Sequence, residues 1–187
     1  EGVELMDLKS FPGREEDRYV LDVQNPEIVF TQGYNATPVF YNDIDNFMLC
    51  SFTCSEDLIS LYNCFDDQEV KDLRLNAFFE AREDEQYKVA KVVEKVYDCF
   101  VIRSAELYLN KAEAEAMLDK AEAKQTIKTL LNNRFEGGIP DVDGLNEKDL
   151  ISFIRDERRR ELCFEAHRWF DLRRYAVSSK YPEKKSI

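Results

Sequence analysis

The sequence predicts a mainly α fold, with tetratricopeptide-like helical hairpins set among short strands and long irregular loops. Three observations carry that prediction. Through residues 100–118 the apolar side chains Ile102, Ala105, Leu109, Ala112 and Ala116 recur on one helical stripe. A second run at 121–134 turns Ile127, Leu130 and Leu131 to one side, and a break near Asp119 and Lys120 separates the two. A third run begins at Asn146 and continues into a charged, aromatic-rich stretch at 155–174, which holds the single Trp and the single His of the chain. The earlier residues show no comparable period. The chain is therefore expected to divide into residues 1–98, loop-rich with short strands and one or two helices, and residues 99–187, helical.

Each element has a local reason. Phe11, Pro12 and Gly13 mark a turn in an irregular lead-in. Asn25 and Pro26 form another turn, and the β-rich run Ile28 to Thr31 follows it as a short strand. Ser55 is a good N-cap, with Glu56 and Asp57 in the first turn and Leu58, Leu61 and Tyr62 on an apolar face. Asp72 and Arg74 are expected to hold a turn ahead of Phe78 and Phe79. Residues 80–98 mix charge with Val89, Val92, Val93 and Val96, which suits an extended hairpin arm. Ala105, Ala112, Ala114 and Ala116 would let a neighbouring helix approach closely, as in a helical hairpin repeat, although the stricter repeat consensus is absent. Asn146 caps a helix that turns Leu150, Ile151, Phe153 and Ile154 inward.

Read as one helix, the stretch at 155–174 aligns Ile154, Glu157, Glu161, Glu165, Arg168 and Leu172, apolar at the ends and charged in the middle. Phe164, Trp169 and Phe170 would dock it and draw some of those charges out of water, where a charge persists only if paired. Glu165 with Arg168, Arg168 with Asp171, and Asp171 with Arg174 are i+3 neighbours able to pair. The expectation is a structural ion network of Glu157, Glu161, Glu165, Arg168, Asp171 and Arg174. In it, Arg168→Ala would strand buried carboxylates and cost a few kcal/mol.

Composition excludes several classes. The 187 residues, 44% hydrophobic and 34% charged, can bury a substantial core. A net charge of −12 argues against nucleic acid, whose phosphates need a basic surface. The arginine run at 158–160 is interleaved with Glu157, Glu161 and Glu165, which suits local pairing better than phosphate binding. The five cysteines, Cys50, Cys54, Cys64, Cys99 and Cys163, make neither a disulfide framework nor a complete zinc site, and are expected to be free and buried. Asp141 and Asp143 start like a calcium loop, but the later ligands are missing, so neither metal nor cofactor is expected. No apolar run has membrane-spanning length and no signal-peptide pattern opens the chain, which begins at Glu1 without Met and is expected to be an excised or mature piece.

Residues 157–174, Glu-Arg-Arg-Arg-Glu-Leu-Cys-Phe-Glu-Ala-His-Arg-Trp-Phe-Asp-Leu-Arg-Arg, resemble the C-terminal signature of the SusD/RagB family. Residues 103–114, the segment around Asn25 to Phe30 and the Leu58–Asp72–Arg74–Phe79 order resemble further stretches of that family, in family order. One departure is Ala166, where members usually carry Gly; Ala there favours helix over a bend. The resemblance implies an all-α superhelix. It also implies a surface lipoprotein of the Bacteroidetes outer membrane that captures nutrient glycans beside a TonB-dependent transporter, held to the membrane only by a lipid anchor outside this chain. Members are usually longer on both sides, with the anchor and an N-terminal half before these residues and a Pro- and Asn-rich segment after the signature.

Sugar sites need aromatic faces for pyranose C–H surfaces, and amide or carboxylate groups for hydroxyls. Tyr34, Asn35, Tyr41, Asn42 and Asp43 supply both kinds, in a loop that the resemblance implies lies near a glycan site. Non-catalytic binding of a polysaccharide or oligosaccharide is thus the first function read from the chain. A helical protein-interaction scaffold is the second. A glycosidase with paired carboxylates is the third, and no nucleophile motif supports it. His167, inside an ion-paired stretch, is a poor acid–base candidate, and no catalytic residue is assigned.

Overall fold

The computed structural model describes residues 4–12, 19–22, 25–32, 53–65, 69–82, 86–91 and 100–184. Among them the fold is mainly α, with helices α1 (Glu56–Asn63), α2 (Arg74–Phe78), α3 (Ser104–Met117), α4 (Glu122–Leu131), α5 (Glu147–Glu161) and α6 (Arg168–Ala176). Short strands pair in twos. β1 (Ile28–Gln32) runs antiparallel to β5 (Phe100–Arg103), β2 (Lys71–Asp72) to β6 (Phe135–Glu136), and β3 (Phe79–Ala81) to β4 (Tyr87–Val89). The chain divides into two compact units: Glu1–Ser104 with Leu130–Pro140, and Ala105–Thr129 with Asp141–Ile187.

The first unit is built on aromatic packing and buried ion pairs. Ser55 accepts from the Leu58 amide at 3.3 Å and starts α1, whose Leu58, Ile59 and Tyr62 are buried. The rings of Tyr62 and Phe79 meet edge-on at 5.3 Å, as do Phe65 and Phe135 at 5.2 Å. Asp72 accepts from Arg74 Nε at 2.9 Å and Nη2 at 2.6 Å, and the Arg74 guanidinium also lies over the Phe135 ring. The expected turn is therefore a fully buried bidentate pair that fixes β2 against the start of α2.

A second buried pair ties distant parts of this unit. Glu27, fully buried, accepts from Arg103 Nη1 at 2.8 Å, Arg134 Nη2 at 2.6 Å and the Met6 amide at 2.9 Å. Asn25 prepares that position, donating to the Val20 carbonyl at 2.6 Å and accepting from the Glu27 amide at 2.9 Å. Arg103 ends β5. The expected helix from residue 100 therefore starts four residues later, at Ser104, and Ile102 lies on an exposed strand instead of a buried helical stripe. The β-branched pair Val101 and Ile102 favours that strand, and β1 supplies its partner.

In the second unit Ala105, Leu109, Ala112 and Ala116 of α3 are buried, as the stripe predicts, while Ala114 is exposed. The helix closes with Lys120 N donating to Glu115 O and Asp119 N to Ala116 O, and Asp119 takes φ 56°, a Schellman ending without glycine. Thr126 of α4 donates to Glu115 at 2.6 Å. Asn146 caps α5 by accepting from the Asp149 amide at 3.1 Å; Leu150, Ile151 and Ile154 are buried behind it, and Phe153 is half-buried.

The single helix read over 154–174 is two. α5 stops at Glu161 and α6 starts at Arg168, and in the connection Phe164 and Ala166 take φ 63° and 64°. Ala166 thus marks a bend, against the expectation that Ala there continues the helix. Trp169 and Phe170 are 55% and 67% exposed and do not dock α6; Tyr175 on the same helix is buried in their place. Of the cysteines described, Cys163 is buried, Cys54 half-buried and Cys64 exposed, so burial holds for only part of the set; Cys50 and Cys99 lie outside the described residues.

Candidate functional site

The ligand candidates Tyr34, Asn35, Tyr41, Asn42 and Asp43 lie outside the described residues. The densest polar construction among those described surrounds α5 and α6. Arg158 Nε reaches both Asp171 oxygens at 2.9 Å, and its Nη1 donates to Asn110 at 2.6 Å. Asp171 also accepts from Arg174 Nε at 2.9 Å. Arg174 then forks onto both oxygens of Glu113 at 2.6 Å each. α3, α5 and α6 are thereby joined through two carboxylates. Within α5, Arg160 Nε donates to the fully buried Glu157 at 2.9 Å, and its guanidinium lies over the Phe153 ring. Glu161 is fully buried and Glu165 half-buried. His167 Nε2 stands 3.8 Å from Glu106.

The guanidinium groups of Arg155 and Arg174 both lie over the Tyr175 ring, at 4.5 and 4.4 Å from its centre. Burial, followed by the nearby charges of Glu113 and Asp171, pushes the Tyr175 phenol well above its ordinary range. Burial works against the Arg174 charge, but the Glu113 bonds outweigh it and its pKa rises. For Arg168, burial and the neighbouring Arg159 charge prevail, and its pKa falls below that of a free guanidinium.

A cavity of about 230 Å³ lies against this network, lined in part by Asn110, Glu113, Met117, Arg155, Arg174 and Ser178. Its polar groups are largely spent on one another; Arg155 Nε alone is buried without a hydrogen bond, 3.9 Å from Glu113. The oxygens of Glu113 and Asp171 are each taken up by guanidinium N–H groups, which leaves little geometry for meeting a substrate proton. The arrangement fastens three helices and offers little acid–base chemistry. Asp143 accepts from Lys128 Nζ.

The Asp72–Arg74 turn, the helix that follows Arg103 and the helices of the signature stretch follow one another in the order the resemblance implies. The model of the SusD family matches residues 84–186, more than half of the chain. The chain belongs to the SusD family. A SusD-like protein of Formosa agariphila is 40% identical over 79 residues, covering 38% of this chain and 16% of that protein. The SusD-like carbohydrate binding protein of Bacteroides vulgatus superposes with a TM-score of 0.61 at 21% identity, over 91% of this chain and 38% of its own. A SusD-like protein of Bacteroides fragilis gives 0.61 and 21%, over 94% and 48%. The likeness to these two shows that the fold is the SusD-like helical one. This SusD-family chain spans less than half the length of each of these relatives.

Proposed function

We propose that the protein binds a glycan or oligosaccharide at the outer face of a bacterial outer membrane, without catalysis, as the SusD-like partner of a TonB-dependent transporter. The SusD-family match over residues 84–186 carries this reading. A structural relative that binds carbohydrate supports it. In this reading residues 1–98 face the ligand, with Tyr34, Asn35, Tyr41, Asn42 and Asp43 among the contacts, and residues 99–187 are the scaffold that meets the transporter. The ion-bolted helices suit a rigid platform, because their carboxylates are committed to arginines. A lipid anchor outside this chain would hold the protein to the membrane; no helix among the described residues is long and apolar enough to cross one.

The test is retention of the full-length protein on affinity gels of plant, algal and host polysaccharides, with a pull-down from outer-membrane extract. Retention on at least one polysaccharide and co-purification of a TonB-dependent transporter are expected. Free passage through every gel with no transporter recovered overturns the proposal, and hydrolysis of the retained glycan overturns the non-catalytic part.

A further inference from the structure

The segment after α6 is tied back over α5. Arg155, 3% exposed at its side chain, donates from Nη1 to the Tyr181 carbonyl at 2.6 Å and to Glu183 Oε1 at 2.9 Å. The Glu183 amide donates to the Tyr175 carbonyl at 3.1 Å, and Ser178 Oγ to the Lys180 carbonyl at 2.6 Å. Lys180 reaches Asp119 at 2.6 Å and Glu147 at 2.8 Å. A cleft of about 570 Å³ remains between this strap and α5, a volume in the range of small-molecule sites.

One wall carries Lys148, Ser152 and Asp156, spaced i, i+4, i+8 along α5 and so on a single face. Among the described residues none of these three side chains has a hydrogen-bond partner within the chain. The other wall carries Tyr181 and Pro182. Tyr181 is 36% exposed and holds φ 45°, a backbone state that non-glycine residues rarely adopt and that persists where the surroundings hold it. Its carbonyl accepts from Arg155 Nη1.

We infer that this cleft is a saccharide subsite, with Tyr181 as the stacking face and Lys148, Ser152 and Asp156 as the hydroxyl ligands. The inference rests on the glycan-binding reading above. A sugar hydroxyl both donates and accepts, and the stripe offers a donor at Lys148, an acceptor at Asp156 and both at Ser152. Positive and negative groups face the same space, which suits a neutral polyhydroxyl ligand better than an ion. The strap is fastened before any ligand arrives, so binding does not have to order it.

The experiment uses the full-length protein and the polysaccharide that retains it on affinity gels, with calorimetric titration of a hexasaccharide cut from it. Tyr181→Gly removes the ring and also relieves the backbone strain, so its melting temperature is expected to equal or exceed that of the wild type. Its affinity, and that of Asp156→Asn, is expected to fall at least about tenfold. Amide shifts on titration should include Ser152, Asp156 and Tyr181. Unchanged affinity in both variants, or shifts confined to other residues, overturns the subsite while leaving glycan binding in place. No binding by the wild type overturns both.

Discussion

Arg158 Nε grips both oxygens of Asp171 at 2.9 Å across a separation of 13 residues, from one helix to the next. Both side chains are 6% exposed, so neither charge can be repaid by water if the other is removed. Arg168, on the same helix as Asp171, has no hydrogen bond or ion pair among the described residues. Thermal or urea unfolding should therefore show Arg158→Ala losing about 3 kcal/mol. Arg168→Ala should stay within about 1 kcal/mol of wild type, reversing the expectation from i+3 spacing. A double cycle with Asp171→Ala should show strong coupling for Arg158 and little for Arg168.

Ala166 sits at φ 64°, where a Cβ meets the following carbonyl and glycine has no penalty. Ala166 is also exposed, so removing its methyl leaves no cavity. Ala166→Gly should stabilise the protein by about 1 kcal/mol despite the greater freedom glycine gives the unfolded chain. A lowered urea midpoint would show that the bend does not depend on this residue.

Gly137 is the reverse case. At φ 80°, a Cβ on it would stand 2.7 Å from the Glu69 carbonyl oxygen, a backbone atom that cannot swing away. Gly137→Ala should cost about 1–3 kcal/mol, through strain and that contact together. Equal stability of the two proteins would mean that the β2–β6 end relaxes freely.

Asp119 is exposed, and the hydrogen bond from Lys180 holds its carboxyl below the usual range. The same bond, joined by that of Glu147, raises the Lys180 ammonium. A depressed carboxylate contributes stability above its unfolded pKa of about 3.9 and loses it as pH falls through the lower folded value. A carbon-detected titration should find Asp119 ionising below the ordinary aspartate range. Lys180→Met should raise it toward that range, and high salt should shrink the difference.

Features governed by near neighbours were legible in the chain. Ser55 and Asn146 cap helices because capping is local, and Asp171 with Arg174 followed from three-residue spacing. Ile102 departs from its expected place because a stripe shared with Ala105 and Leu109 fits a helix, and the competing strand depends on β1, more than 70 residues earlier. The bend between α5 and α6 contains no glycine or proline to announce it. The size of Trp169 and Phe170 suggests anchors, but apolar residues are not barred from a protein surface, and both are exposed. Glu27 with Arg103, and Arg158 with Asp171, are pairings that no periodic rule reaches. Lys148, Ser152 and Asp156 form an i+4 series in the sequence, but the strap that faces them is held by the long-range bonds of Arg155 and Lys180, which spacing does not reveal. The loop from Tyr34 to Asp43 remains a proposal from residue chemistry.

Glu27 has a consequence for the order in which the protein is made. Its two arginine partners follow it by 76 and 107 residues. At ribosomal speeds of about 5–20 residues per second, roughly 5–20 s pass between synthesis of the carboxylate and of its last partner. During that interval Glu27 has to stay hydrated, so the turn that carries it cannot settle into its final packing. The full set of native bonds to Glu27 can therefore close only after Arg134 has been made.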